Sequence, residues 1–311
     1  GVGRRGSRGA PPRPRVANRK GRAQRPRSPR HFALPGDRRG AGRTARNRAV
    51  ARENVRLGRD LLCPLRKARS PRRGGGGHAG WLVDDGRAAA VSEVFRQIGS
   101  PSPGGIVCVV DHASNVVPQD IPLGIPERLL YEHIALDIGT EAIAELLATD
   151  QAIPAHIAAV SRLVCDLNRE ETAPGLVPEA SDGHPIPGNL GADRDARLAR
   201  FHRPYHTALE QWLAAAEPAL ILSLHSFTPR LATSDAARPW HVGVLYNTDD
   251  RAARIAIPLL AAEGLNVGDN LPYSGRDLNY TMNRHAEAHG RHYMGIEIRQ
   301  DLAQTPADHA R

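Results

Sequence analysis

GGIVCVVD, residues 104–111, runs directly into His112-Ala113-Ser114-Asn115. Five consecutive apolar residues, four of them β-branched, sit between two glycines and an acid–imidazole pair. An uninterrupted run of that kind, with no polar alternation, suits a strand buried on both faces. Outward from it, the spacing predicts helices over 88–98, 133–149, 193–216, 250–263 and 280–289, with a helical turn at 125–131. Buried strands are predicted over 153–160, 219–224, 242–246 and 293–298, with a further short one at 162–166. Residues 170–190, rich in Pro and Gly, are too long and irregular for a simple connection. Helices alternating with buried strands make the fold class α/β: a mixed, mostly parallel sheet with helices on both faces.

Charge is divided unevenly along the 311 residues. Residues 1–80 carry 24 of the 42 Lys and Arg but three of the 33 acids (Asp37, Glu53, Asp60), so the net +9 describes this segment and the rest is acidic. A basic nucleic-acid binder is therefore excluded as a reading of the whole chain. The segment, Arg/Pro/Gly/Ala-rich, is expected to be a disordered tail with a transient basic helix at 45–69, ahead of one domain at 81–311. It reads as an extension without a role of its own, and in second place as a polyanion-binding arm. Three scattered cysteines (Cys63, Cys108, Cys165) with no CxxC pair exclude a disulfide framework or zinc knuckle. No apolar run reaches the ~20 residues of a membrane span, and no secretory signal is visible, so a cytoplasmic setting is expected. Oligomeric state leaves no mark in the sequence.

Three predicted strands end in ionisable groups: Asp111 and His112 after the first, His225 and Ser226 on another, and Glu297 on the last, followed by Arg299 and Asp301. Ligands gather at the carboxyl ends of such strands, and buried charge is costly unless paired or bound to metal. Two imidazoles with a third oxygen ligand leave one position open on a zinc ion, and a nearby carboxylate then serves as proton acceptor. An Arg beside them polarises a carbonyl, and a second grips a substrate carboxylate. No HExxH, GxSxG, P-loop or GxGxxG is present. Ser226 lacks a marked base, and the apolar neighbours of Cys165 argue against a thiolate nucleophile.

DHASNVVP (111–118), DIGTEAI (137–143), SRLVCDLNRE (161–170), FHRPYHTALE (201–210), SLHSFTP (223–229), RPWHVGVLYN (238–247), VGDNLPYSGRD (267–277) and RHYMGIEIRQDL (291–302) occur in that order. Together they resemble the N-formylglutamate amidohydrolases, a family similar to the zinc carboxypeptidases. The resemblance implies a phosphorylase/hydrolase-like, zinc carboxypeptidase-like fold. It also implies hydrolysis of a small N-acyl amino acid, N-formyl-L-glutamate to glutamate and formate, within amino-acid metabolism such as histidine degradation. It implies zinc on His112 and His225, Glu297 as the catalytic acid–base, and Asn168 with Arg169 on a substrate carboxylate.

The carboxypeptidase pattern HxxE is broken, because Asn115 stands where an acid ligand belongs. Asn115, Asp111 or Asp137 then completes the shell, an acidic replacement being preferred. Arg162 is a candidate for oxyanion stabilisation or for an ion pair with Asp166. Ser226, Tyr273 and Arg276 are candidate substrate contacts, the last two in a turn-rich loop with Asp269 and Asn270. His202 and His206 either face the site or cap a surface helix, His241 is second-tier or exposed, and Arg284 and His285 lie on the following helix. Asp182 and Asn189 are candidates for a lid. Asn115 also motivates a second reading: a non-catalytic or weakly catalytic small-molecule or metal-binding protein of the same fold, with the tail as a polyanion-binding arm.

Overall fold

The computed structural model describes Gly1 and residues 92–309. The expectations for a disordered tail at 1–80 and a basic helix at 45–69 lie outside the described residues, as does the start of the helix expected at 88–98.

Seven strands form one sheet: β1 (Phe95–Ile98), β2 (Ile106–Val110), β3 (Ala155–Ala158), β6 (Leu220–Phe227), β7 (Val242–Leu245), β8 (Val267–Asp269) and β9 (Tyr293–Arg299). Their order across the sheet is β1-β3-β2-β6-β9-β7-β8. β3, β2, β6 and β9 run parallel, β7 is antiparallel to β9 and parallel to β8, and β1 is antiparallel to β3. A separate hairpin of two-residue strands, β4 (Ala180–Ser181) and β5 (His184–Pro185), lies in the irregular 170–190 segment.

β2 shows why its sequence lacks alternation. Val107 and Val109 face one apolar cluster with Phe201, Tyr205, Leu209 and Leu213, while Cys108 and Val110 face a second with Ala144, Ala148 and Ile157. Every side chain after Ile106 is buried, each contributing roughly 1.5–3 kcal/mol for a Val-sized group. Helix α1 (Thr140–Asp150) supplies Ala144 and Ala148 to the second face. Helix α2 (Arg203–Ala214) covers the first, and it continues a π turn, Leu198–His202, that follows Arg194–Arg197. Helix α3 (Arg251–Ala262) packs on β7, β8 and β9, and α4 (Tyr280–His285) lies against α2 and adds Met282 to the first cluster.

Three expectations need correction. Residues 95–98 form strand β1 rather than the end of a helix: Phe95 stacks on the buried His156 ring, and the segment pairs with β3. Residues 162–166 form turns, not a strand; Ser161 accepts the N–H groups of Val164 and Cys165, and Arg162 closes an i,i+4 ion pair with Asp166. The helix expected from 133 begins only at Thr140. Gly139, at φ 86°, precedes it in the left-handed region, where a Cβ would collide with the Ala303 carbonyl.

Candidate active site

Side chains from the carboxyl ends of β2, β6 and β9, with the turns following β3, line a cavity of about 140 Å³. His112 follows β2 directly. His225 and Glu297 are Cα partners on adjacent parallel strands, so both project from the same sheet face. Asp137 comes from the turn before α1, and its backbone N–H donates to the His112 carbonyl at 2.8 Å. Thr140 Oγ1 donates to the Asp137 carbonyl at 2.7 Å and locks that turn.

One atom each of His112, Asp137 and His225 lies within 4.8 Å of the others, and all three residues are buried. Asp137 Oδ2 is 2.9 Å from His225 Nδ1 and 3.4 Å from His112 Nδ1. His112 donates from Nε2 to Asp166 Oδ1 at 2.7 Å, leaving Nδ1 buried without a hydrogen-bond partner. His225 Nε2 lies 3.2 Å from the Ser223 hydroxyl. Two imidazoles backed on Nε2 and converging on Nδ1, with a carboxylate oxygen between them, form a donor set suited to a divalent cation of the zinc class. The orphaned His112 Nδ1 is the structural sign that the set fits such an ion.

Charge around the cluster is closely paired. Arg162 donates to Asp137 Oδ1 at 3.1 Å and Asp166 Oδ2 at 3.0 Å, and Arg169 Nε lies 3.6 Å from Asp166 Oδ2. Burial works to raise the Asp137 and Asp166 carboxyls, but the His112 and Arg162 charges outweigh it and hold both well below the usual range. Burial also opposes charge on His225, yet its hydrogen bond to Asp137 pushes it up to about 9. Burial, helped by the Asp137 charge and opposed by His225, pushes Glu297 up to about 7. Glu297 Oε2 is buried without a hydrogen bond, as are Ser226 Oγ and Asp111 Oδ2, the last 3.9 Å from His225 Nε2; the other Asp111 oxygen accepts from Tyr205 at 2.7 Å.

The model of the N-formylglutamate amidohydrolase family matches residues 104–303. The chain belongs to the N-formylglutamate amidohydrolase family. Membership places it among the hydrolases of amide bonds. It is similar to the solved gene product Atu2144 from Agrobacterium tumefaciens, at 30% identity and a TM-score of 0.65, over 72% of this chain and 90% of the other. It also shares its fold with the N-formylglutamate amidohydrolase from Ralstonia eutropha JMP134, at 20% identity and a TM-score of 0.55, over 68% and 87%. No curated protein matches at a significant level.

In this N-formylglutamate amidohydrolase family member, His112, Asp137, Arg162, Asn168, Arg169, His225, Ser226, Tyr273 and Glu297 all line the one cavity. Asn115 and Arg276 do not line it: Asn115 is half-buried beyond the end of β2, and Arg276 is exposed in its loop. His202 and His206 are neither in the cavity nor on the surface, being fully buried in the first core layer. Asn270 holds its own loop by accepting from Tyr246 and Gly275 N–H groups, and Asp269 accepts from Tyr246 and Arg254. His241 Nδ1 accepts from the Asn266 N–H. Asn189 is buried and donates to the Leu163 and Pro178 carbonyls, and Arg284 donates to Tyr280 within α4. Asp182 gathers the Ala232 and Thr233 N–H groups, the Thr233 hydroxyl and His133, which itself lines the cavity. Sequence reasoning named Asp166 only as an ion-pair partner for Arg162 and missed its hydrogen bond to His112, although the residue lies inside SRLVCDLNRE.

No helix among the described residues is long and apolar enough to cross a membrane.

Proposed function

We propose that residues 81–311 form a zinc-dependent amidohydrolase that cleaves N-formyl-L-glutamate to L-glutamate and formate. The reading rests most on one observation: the buried His112 Nδ1, which makes no hydrogen bond, beside Asp137 Oδ2 and His225 Nδ1, with Glu297, whose Oε2 is likewise buried without a hydrogen bond, on the adjoining strand. His112, Asp137 and His225 would hold the ion, which when bound supplies Lewis acidity toward water and the scissile carbonyl.

The chain's own residues do the rest. Glu297, raised by burial to about 7, is suited to take a proton from the attacking water and deliver it to the departing amine nitrogen. Arg162 holds Asp137 and Asp166 ionised, and its remaining N–H groups are the cationic donors in the cavity wall for the carbonyl oxygen. Asn168 and Arg169 would take a substrate carboxylate, with Ser226 and Tyr273 as further polar contacts. The reading of a non-catalytic binder drew on Asn115 and on the basic tail; the enzyme reading is supported over it by Asp137, whose carboxylate oxygen lies beside both imidazoles. A cytoplasmic setting accompanies this reading.

Release of the free amino acid from a panel of N-acyl amino acids, with chelator and with zinc restored, tests the proposal. Turnover of N-formyl-L-glutamate that chelator abolishes and zinc restores is the expected result. Turnover indifferent to chelator would overturn the metal assignment, and preference for another acyl group would overturn the substrate.

A further inference from the structure

The FHRPYH segment places two histidines one helical turn apart, and neither reaches the cavity. His202 Nε2 lies 2.8 Å from the Arg169 carbonyl, and His206 Nε2 lies 2.9 Å from the Leu167 carbonyl. Carbonyls only accept, so both imidazoles donate from Nε2. The lone pair of His206 Nδ1 then accepts from His285 Nε2 at 2.9 Å, with the two rings stacked 5.1 Å apart. Between the two gripped carbonyls stands Asn168, whose Oδ1 accepts the Thr281 N–H of α4 at 2.9 Å.

Residues 167–169 belong to no strand or helix, so no sheet ladder fixes their peptide planes. The Asn168 N–H donates to Asp166 Oδ1 at 3.0 Å, and the imidazoles hold the two carbonyls from behind, while the Asn168 and Arg169 side chains line the cavity in front. All three histidines are fully buried, and burial lowers the pKa of each, that of His285 to about 3. The neutral forms match the donor–acceptor chain: a proton on His206 Nδ1 would set two N–H groups against each other.

We propose that His202 and His206, the latter backed by His285, are positioning residues for carboxylate recognition, fixing the Leu167–Arg169 backbone so that Asn168 and Arg169 present their side chains together. The inference rests on the reading of Asn168 and Arg169 as the carboxylate site. A role confined to core stability would lower the melting temperature yet leave ligand affinity per folded molecule unchanged.

The test uses the zinc-loaded full chain and L-glutamate as the probe, titrated calorimetrically, alongside steady-state kinetics with N-formyl-L-glutamate. His206→Phe fills the ring-shaped slot but removes the donor. It is expected to weaken glutamate binding about tenfold, the scale of one lost buried hydrogen bond, with zinc stoichiometry unchanged. KM should rise by a similar factor while kcat stays within about twofold of wild type. His206→Gln, which keeps an N–H donor, should recover most of the loss. If His206→Phe does not fold, His202→Phe leaves the His206–His285 pair intact, and the same weakening is expected from it. Wild-type affinity in the folded Phe variants, or equal loss in Phe and Gln, overturns the positioning role alone. A wild-type protein that binds no glutamate overturns the carboxylate reading of Asn168 and Arg169, and the positioning role with it.

Discussion

His112 and Asp166 are joined by a 2.7 Å hydrogen bond across 54 residues of chain. That bond assigns the imidazole tautomer, because an ionised carboxylate accepts and so holds the proton on Nε2. The other nitrogen, Nδ1, is thereby turned toward Asp137 and His225. Asp166→Asn removes the charge that secures this arrangement. Zinc affinity should fall about 10- to 100-fold, as loss of such an outer partner commonly causes, measured by competition against a chromophoric chelator. Unchanged affinity would show that Asp166 serves only its two arginines.

Glu297→Gln keeps the shape of the side chain and removes its basicity. Hydrolysis should drop about 1,000-fold while zinc stays bound at one ion per chain, by metal analysis of the purified variant. Full activity in a zinc-loaded Glu297→Gln protein would take the proton-transfer role away from this residue.

Zinc uptake should release protons. In the metal-free chain His225 titrates at about 9, so near pH 7 it is charged and donates from Nδ1 to Asp137. A metal ligand must be deprotonated, so binding expels that proton, and apparent affinity should climb as pH rises toward 9. Calorimetry in buffers of different ionisation enthalpy reads the number directly: about one proton or more per ion is expected at pH 7. A heat of binding independent of buffer would refute the assignment.

Acid should destabilise the fold through His156. Its Nδ1 accepts from Gln97, its Nε2 is buried without a partner, and Tyr205 and Phe95 pack on the ring. Burial lowers it to about 3, against about 6.5 in an unfolded chain. The folded pKa is the lower one, so the unfolded state binds the proton first. The contribution is complete above pH 6.5, declines as pH falls, and is exhausted near 3, at about 1.4 kcal/mol per pH unit in between. Urea midpoints from pH 8 to pH 4.5 should fall more steeply for wild type than for His156→Leu; parallel curves would refute it.

Gly243 and Gly268 are paired across β7 and β8, and a Cβ on either would strike the Leu271 carbonyl. That carbonyl lies two residues ahead of Tyr273, whose hydroxyl accepts from Arg238 at 3.1 Å beside the cavity. Gly268→Ala should push the loop away and raise KM several-fold, with a loss of about 1–3 kcal/mol in stability from the enforced shift. Kinetics and a denaturant curve on the same sample check both.

What the sequence disclosed, and what it hid, follows from how local each signal is. Residues 106–110 are legible as a strand because burial on both faces leaves an unbroken β-branched run. β1 reads as a helix because its partners, His156 and β3, lie some 60 residues away and nothing local announces the pairing. β8 is three residues long and built around a glycine, so it reads as turn. At the site, His112, His225 and Glu297 mark themselves by following apolar runs. Asp137 stands in a turn with no such frame, and Asn115 drew attention only through its spacing from His112. His202 and His206 read as facing the site or as capping a surface helix, because helical spacing cannot tell which polar side chains will meet buried carbonyls.

The sheet order carries a consequence for synthesis. β9, last of the strands along the chain, lies between β6 and β7 and brings Glu297 with it. A nascent polypeptide lacking residues 293–299 has a gap at the middle of its sheet and no carboxylate paired with His225. The cavity wall is therefore closed only after residues 293–299 have been made, and a chain stopped upstream of Tyr293 lacks both the strand that joins the two halves of the sheet and the carboxylate paired with His225.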